Sequence, residues 1–138
     1  MFRVARSKIV DTSRLSAFPV LADLPTAELD ELAAAMTEVD IEAGAKVISD
    51  DDYGSAIYFI EQGEADVLIA GARNRDLGPG ETFGEIALLL TGQRTAAVVA
   101  RTPMRLLSLA GQDFGRIRER VPEVERTLRA LGLERAVS

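Results

Sequence analysis

Hydrophobic residues recur at two different spacings along the chain, and the change of spacing separates helical from β parts. Over about 25–37 the apolar positions fall three and four residues apart, which predicts an amphipathic helix. Over about 38–110 short apolar runs alternate with polar residues and end at glycines, which is typical of β-strands. Helical spacing returns over about 111–135. The pattern therefore predicts, in chain order, a helix, a β core and C-terminal helices.

The first helix is predicted to pack one face on the core. Pro25 stands where a first-turn proline is tolerated. Four apolar residues form the stripe that would be buried: Leu29, Leu32, Ala33 and Met36. Four carboxylates lie largely off this stripe: Glu28, Asp30, Glu31 and Glu38. We therefore expect a surface helix whose apolar face packs on the rest of the domain.

The β core is predicted from six short apolar runs. They lie near 39–41, 47–48, 57–60, 65–69, 96–100 and 104–109. The polar run 71–76 is interpreted as a turn, and the sequence Gly-Pro-Gly at 78–80 is a second turn signal. Short strands at fairly regular spacing favour a mainly β fold with flanking helices, a jelly-roll (double-stranded β-helix) β-sandwich, over an alternating α/β fold.

Two helices are predicted after the β core. Phe114, Ile117 and Val121 indicate a short helix, and Pro122 begins a second one. The apolar stripe of the second helix consists of Val124, Leu128, Leu131 and, near its end, Leu133. No linker or long internal repeat interrupts the chain. We therefore predict a single domain over 1–138.

Composition excludes several classes of function. Because the chain has no His and no Cys, it lacks the ligands of a Cys/His zinc site and the thiol or imidazole of many catalytic sites. Its net charge of −6 disfavours a general nucleic-acid surface, since such binding depends on neutralising phosphates. The longest apolar runs, 86–90 and 96–100, are far shorter than the roughly 20 residues of a membrane span. With no targeting segment visible, these features favour a cytoplasmic binding module over an enzyme.

One stretch, residues 80–97, breaks the strand pattern and carries the candidate chemistry. Strong helix formers at 85–90 predict a turn or two of helix after Gly84. The first N–H groups of that helix would suit an anion such as a phosphate, and a glycine lets the backbone approach it. Arg94 could bind two phosphate oxygens, and Glu85 could accept hydrogen bonds from a sugar hydroxyl. On spacing alone, Glu85 and Arg94 could instead form an ion pair with each other.

The same stretch resembles the phosphate-binding cassette of cyclic nucleotide-binding domains, and the resemblance extends over about 18–130. It rests on the sequences Phe-Gly-Glu-Ile-Ala-Leu-Leu at 83–89 and Gln-Arg-Thr-Ala at 93–96. The family includes the regulatory subunit of protein kinase A, cyclic-nucleotide-gated channels and catabolite-activator-type regulators. The resemblance implies that Arg94 binds the exocyclic oxygens of a cyclic phosphate and that Glu85 binds the ribose 2′-hydroxyl. The implied ligand-binding residues are Phe83, Gly84, Glu85, Ile86, Ala87, Arg94, Thr95 and Ala96.

Three residues depart from the family pattern. Gln93 stands where Pro or Arg is usual, and Asp51 occupies the position of a glycine usually found in a turn. Thr95 follows the arginine where many cyclic AMP binders carry Ala, and in the family a hydroxyl there is associated with tolerance of cyclic GMP. We expect cAMP to be favoured over cGMP as the ligand. The acidic run 50–52 lacks the spacing of a calcium loop and is interpreted as a solvated turn, so no metal or other cofactor is expected.

The resemblance also implies that the C-terminal helices report ligand binding by moving over the bound base. Leu131 is the first candidate for an apolar lid, followed by Leu128 and Leu133, although each could instead pack on the core or on another subunit. We expect a stand-alone cyclic nucleotide sensor that acts through a protein partner or a homodimer, and not through nucleic acid or a membrane. Two alternatives stay open: the ligand-binding part of a catabolite-activator-type transcription regulator without its helix-turn-helix, and a non-binding β scaffold for protein interaction.

Overall fold

The strands of the structure form two antiparallel sheets. The computed structural model describes residues 2–4, 10–48, 56–84 and 96–137. The strands are β1 Phe2–Val4, β2 Thr37–Ile41, β3 Lys46–Ile48, β4 Ala56–Gln62, β5 Ala65–Ile69, β6 Ala72–Leu77, β7 Thr82–Phe83, β8 Ala97–Ala100 and β9 Met104–Ala110. The helices are α1 Thr12–Leu15, α2 Thr26–Ala35, α3 Gly111–Ile117 and α4 Pro122–Val137, with a 3₁₀ turn at Arg118–Arg120.

The two sheets make a β-sandwich with helices packed outside one of them. The five-stranded sheet has the order β1-β2-β9-β4-β7, and the four-stranded sheet has the order β3-β8-β5-β6. Every strand pair in the described part of the chain is antiparallel. The mainly β fold with flanking helices that the sequence predicts is confirmed.

The five-stranded sheet is buried on both faces, and β4 shows how. Ile57 and Phe59 point to the helices and join a cluster that includes residues of α2, α3 and α4. Tyr58 and Ile60 point the other way, into the space between the two sheets. Because both faces are covered, the strand is a continuous apolar run rather than an alternating one. Fully burying each of these large side chains contributes about 1.5–3 kcal/mol.

The predicted turn at 71–76 is wrong, because most of that run is the strand β6. It pairs with β5 through a two-residue loop in which Ala70 and Gly71 both have positive φ, at 53° and 80°. Two such residues make the hairpin turn whose twist matches the strands. In β6 only Leu77 is buried, and the other five residues are exposed. An edge strand with charged, solvated side chains resists pairing with other chains, so its composition resembles that of a loop.

The helix α2 is confirmed, but two of the carboxylates expected at the surface are buried, and one of them, Glu38, belongs to β2. Pro25 precedes the first helical residue as its N-cap, and Met36 ends the helix in an extended conformation. Glu28 and Glu38, which the sequence pattern places off the apolar stripe, are only 8% and 2% exposed. Buried carboxylates need partners, since an unpaired charge in the interior is costly.

The C-terminal helices are also confirmed. α3 and the 3₁₀ turn lead to Val121, and α4 begins at Pro122 as expected from a first-turn proline. The sequence pattern did not predict β1, α1 or β7, which are short. Several predictions lie outside the described residues: the short helix at 85–90, the turn around Asp51, and the positions of Glu85, Ile86, Ala87, Arg94 and Thr95.

Candidate functional site

The stretch that carries the candidate chemistry is anchored at its two ends in different sheets. Gly84 directly follows β7 in the five-stranded sheet, and Ala96 directly precedes β8 in the four-stranded sheet. Residues 85–95, which lie outside the described residues, therefore connect one sheet to the other. This arrangement places both ends of the candidate phosphate-binding segment on the rigid β core.

Phe83 fixes the first end in the space between the sheets. It is 4% exposed and lies opposite Tyr58 in the β4–β7 register. The two rings stack with their centroids 5.1 Å apart and an angle of 24° between their planes. An offset aromatic pair of this kind contributes about 0.5–1.5 kcal/mol beyond its buried area. The ring contact therefore holds the last residue before the candidate segment in one position.

Gly84 turns the chain at the end of β7. Its φ is +95°, a conformation that side-chain-bearing residues rarely adopt. A Cβ here would carry a strain of roughly 1–2 kcal/mol. The glycine at this position is therefore explained by the backbone turn.

The turn before β7 is tied to β4 by backbone hydrogen bonds. The amide of Gly80 donates to the carbonyl oxygen of Ile60, and the amide of Ile60 donates to the carbonyl oxygen of Glu81, each at 2.9 Å. The carboxylate of Glu81 closes the turn by accepting from the amide of Gly78 at 2.6 Å. These contacts set where β7 begins and so where Gly84 is placed.

The second end of the segment is held by packing. Ala96 is partly buried and packs against the cluster between the sheets. It leads into β8, which pairs with β3 on one side and with β5 on the other. A central strand of this kind keeps both of its edges hydrogen-bonded, so the second end is also on rigid structure.

Helix α4 reaches the first end of the segment, which the sequence pattern did not predict. The Nη1 of Arg135 donates a hydrogen bond to the carbonyl oxygen of Thr82, the residue 53 positions earlier in β7. The hydroxyl of Thr82 is buried and has no partner among the described residues. No local spacing in the sequence links Arg135 to β7, so the sequence pattern gives no signal for this contact.

The three lid candidates occupy different environments. Leu128 is fully buried in the cluster between the helices and the five-stranded sheet, which is the core-packing alternative. Leu131 is partly buried, and Leu133 is 53% exposed on the last turns of α4. In this arrangement Leu131 and Leu133 are the candidates that remain available to cover a ligand.

A second polar region joins α1 to the outer face of the five-stranded sheet. Arg14 donates to Glu38 at 2.6 Å and to both carboxylate oxygens of Glu61, at 2.5 and 2.9 Å. Hydrogen bonding to Glu61 and then to Glu38 raises the pKa of Arg14 above its usual range. These side chains border a cavity of about 470 Å³ that Arg105 also lines. Because Arg14 is already bound by two carboxylates, this cavity is a poor phosphate site, and the cluster is best explained as the partner of buried Glu38.

The described part of the chain shows no metal centre and no membrane span. No three His, Cys, Asp or Glu side chains in it are grouped as metal ligands would be. No helix in it has the length and apolar character that crossing a bilayer requires.

One family model matches both the β core and the candidate segment 85–95. The family model described as "Cyclic nucleotide-binding domain" matches residues 38–121, from β2 through the 3₁₀ turn after α3. The chain belongs to the cyclic nucleotide-binding domain family. The match includes both anchored ends and the whole of 85–95. The resemblance seen in the sequence is therefore confirmed, and the matched family is a ligand-binding module.

Individual relatives come from two kinds of cyclic nucleotide-regulated protein. The cAMP-dependent protein kinase regulatory subunit of Yarrowia lipolytica is 37% identical over 105 residues, which is 75% of this chain and 28% of the subunit. The potassium/sodium hyperpolarization-activated cyclic nucleotide-gated channel 3 of Homo sapiens is 36% identical over 107 residues, or 75% of this chain and 14% of the channel. The chain therefore spans less than a third of the length of these relatives.

Solved structures show the same fold. The regulatory domain of Toxoplasma gondii PKA with cAMP superposes with a TM-score of 0.78 at 23% identity, covering 89% of this chain and 48% of that one. The regulatory subunit of a cAMP-independent protein kinase A from Trypanosoma brucei gives a TM-score of 0.73 at 26% identity, covering 83% and 44%. The sandwich and its flanking helices are thus those of cyclic nucleotide-binding domains.

Proposed function

We propose that this domain is a cyclic nucleotide sensor that binds a 3′,5′-cyclic nucleotide through residues 83–96 and favours cAMP over cGMP. The observation that carries the proposal is the family match over a segment whose two ends are fixed on different sheets. A segment held in this way can present a row of backbone amides to a phosphate without first paying for the ordering of its ends. The domain itself is proposed to have no catalytic activity.

The proposed roles within the segment follow the chemistry of a ribose phosphate. Arg94 would bind the phosphate oxygens with its two-pronged guanidinium group, and the amides of Gly84, Ile86 and Ala96 would complete the contact. Glu85 would accept a hydrogen bond from the ribose 2′-hydroxyl, the one hydroxyl left unmodified by 3′,5′-cyclisation. The proposed ligand-binding residues also include Phe83, Ala87 and Thr95. These assignments rest on the sequence match, since 85–95 lie outside the described residues.

The proposed output is a change in the position of α4. The hydrogen bond from Arg135 to the carbonyl oxygen of Thr82 supports this, because it joins the end of α4 to the strand that leads into Gly84. A ligand that contacts the segment differently in two positions of α4 would shift the balance between those positions by that difference. Leu131 and Leu133 would then meet the bound base.

The protein partner belongs to this proposal as well. The chain spans 28% of the kinase regulatory subunit and 14% of the cyclic nucleotide-gated channel that it resembles, so both proteins extend well beyond this domain. We therefore propose that α4 acts on a protein partner or on a second copy of the chain, and that the protein is cytoplasmic. Neither a nucleic acid nor a membrane is proposed as a partner.

One comparison favours a second candidate, a domain that has kept the fold without cyclic AMP control. The Trypanosoma brucei structure with 26% identity is titled as belonging to a cAMP-independent kinase. In that case Glu85 and Arg94 would pair with each other, and the β core would serve as a scaffold for protein interaction.

Calorimetric titration distinguishes the two candidates. Wild-type protein is titrated with cAMP, cGMP and 2′-deoxy-cAMP, beside Glu85→Gln and the control Glu64→Gln, which alters an exposed carboxylate in the β4–β5 loop. We expect cAMP to bind more tightly than cGMP, and Glu85→Gln to weaken cAMP more than its 2′-deoxy analogue. The control should change neither affinity. Absence of heat with every nucleotide would favour the scaffold, and equal losses for the ribo and deoxy ligands would remove Glu85 from the 2′-hydroxyl.

A further inference from the structure

A buried carboxylate on α2 holds the beginning of α4. Glu28 is 8% exposed, and one of its oxygens, Oε1, accepts from the amide of Glu123 at 2.8 Å and from the amide of Val124 at 3.0 Å. The two partners lie 95 and 96 residues later in the chain. The contact therefore joins the helix before the β core to the helix after it.

Glu28 supplies the cap that α4 lacks locally. The first amides of any helix have no partner within the helix, and a Ser, Thr, Asp or Asn just before it usually accepts from them. Here the preceding residue is Val121, whose side chain has no acceptor, and Pro122 has no N–H. A carboxylate at this end is also favoured by the helix dipole, and a charged acceptor makes the stronger kind of hydrogen bond.

Because α4 is long, a small change in its tilt at the capped end displaces its other end by several ångströms. From Glu123 to Arg135 the helix is about 18 Å long, at 1.5 Å per residue. A tilt of about 10° at the capped end would move the far end by about 3 Å, which is enough to break a hydrogen bond. The far end is where Arg135 contacts Thr82, two residues before Gly84.

We propose that Glu28 is a positioning residue that sets the tilt of α4 relative to β7, which leads into the candidate nucleotide-binding segment. Through this tilt, Glu28 links the position of α2 to the occupancy of the nucleotide site. The link to occupancy rests on the proposed function, whereas the control of tilt does not. Hydrogen bonds from two amides to one carboxylate oxygen fix direction as well as distance, which a purely apolar contact between α2 and α4 would not. Movement of α4 is thereby transmitted to α2.

A neighbouring ion pair provides the matched control. Glu31 lies on the same helix as Glu28 and pairs with Arg120 of the 3₁₀ turn at 3.0 Å. Both side chains are substantially exposed, at 40% and 57%, so their pair is screened by solvent. Removing Glu31 breaks a contact between the same regions of the chain without touching the cap.

The tilt can be measured directly because the natural chain has no cysteine. Spin labels are placed on cysteines introduced at Ile69, which is 46% exposed on the sandwich, and at Glu134, which is exposed near the end of α4. Label-to-label distances are then recorded by pulsed electron paramagnetic resonance without ligand. Glu28→Met, which keeps the side-chain length but loses the acceptor, should shift or broaden the distribution by about 3 Å. Glu28→Gln, which keeps an acceptor oxygen, and Glu31→Ala should both match the wild type.

An unchanged distance distribution in folded Glu28→Met protein would overturn the proposal. If that variant does not fold, Glu28→Asp replaces it, since it keeps the carboxylate but draws it back by one methylene. The same shift is expected for Glu28→Asp, and its absence would overturn the proposal equally.

The link to the nucleotide site is read from cAMP affinity in the same variants. Glu28→Met should weaken cAMP binding about tenfold, while Glu31→Ala and Glu28→Gln should not change it. A shifted distance with wild-type affinity would refute the link while leaving the control of tilt intact. If the wild type binds no cyclic nucleotide, the proposed function fails, and the ligand-free distances still decide the role of Glu28.

Discussion

At the scale of single residues, Gly63 shows how tightly the β core constrains its turns. It lies between β4 and β5 with a φ of +92°. A Cβ at this position would lie 2.8 Å from the Cα of Met104 and closer still to the carbonyl oxygen of Pro103. Gly44 has a similar φ of +88°, but a Cβ there would meet nothing within 4 Å. A side chain at Gly44 would therefore meet backbone strain alone, whereas one at Gly63 would meet both strain and a steric clash.

We predict that Gly63→Ala lowers the free energy of unfolding by about 3 kcal/mol or more, because strain and a backbone clash act together. Gly44→Ala should lower it by only about 1–2 kcal/mol, the cost of a left-handed alanine. Urea denaturation of the two variants measures both values. Equal losses of unfolding free energy in the two variants would contradict the prediction, because the backbone near Pro103 would then accommodate the added methyl group without cost.

Residue-scale features were predictable from the sequence where a single residue type imposes a conformation. Gly84 was identified from its motif, and its positive φ gives the physical reason for a glycine at the turn. The burial of Glu28 was not predicted, because the sequence pattern places this residue off the apolar stripe of α2. Its partners were not visible, because a contact across 95 residues leaves no local pattern.

At the scale of elements, the carboxylate of Glu125 holds α4 to the preceding 3₁₀ turn. It binds Arg118 of that turn and also Arg129 of α4 itself. Glu125 accepts from Arg118 at 2.5 and 2.9 Å and from Arg129 at 2.7 Å. Hydrogen bonding to Arg118 first, and to Arg129 as well, lowers the pKa of Glu125 below its usual 4.5. The unfolded chain therefore takes up a proton on this residue at a higher pH than the folded chain does.

We predict that this carboxylate contributes stability that is present above about pH 4.5 and is lost as the pH falls below that value. The free energy of unfolding should thus fall less steeply on acidification in Glu125→Gln than in wild type. Glu134→Gln, which alters an exposed carboxylate of the same helix, serves as the control. Urea denaturation between pH 3 and pH 6 gives the slopes. Identical slopes in the two variants would contradict the assigned pKa direction.

Elements were predictable where burial imposes an apolar pattern, and not where the element is exposed or very short. α2, β4 and α4 each present an apolar pattern because each faces a core. β6 was missed because five of its six residues face solvent, so hydrogen bonding to β5 rather than burial makes it a strand. β7 was missed because two residues are too few to show a period.

At the scale of the whole molecule, the five-stranded sheet lies between two hydrophobic cores. Successive residues of its strands point alternately into one core and the other. Leu106 of β9 packs between the sheets, while Leu107 packs under the helices. The candidate nucleotide segment begins on this sheet, and α4 returns to the same place through Arg135. The geometry thus brings the start of the candidate segment, the sandwich and the end of α4 together at β7.

We propose that Arg94 holds the phosphate of a bound cyclic nucleotide, and the proposed function depends most on this contact. Its most direct test is calorimetric titration of Arg94→Ala with cAMP, beside Arg75→Ala, which removes the same charge from an exposed position on β6. We predict that Arg94→Ala loses about 2–5 kcal/mol of binding free energy, a thirtyfold weakening or more, because it removes the charged partner of a buried phosphate. Arg75→Ala should bind as the wild type does. Binding by Arg94→Ala that equals that of Arg75→Ala would contradict the claim.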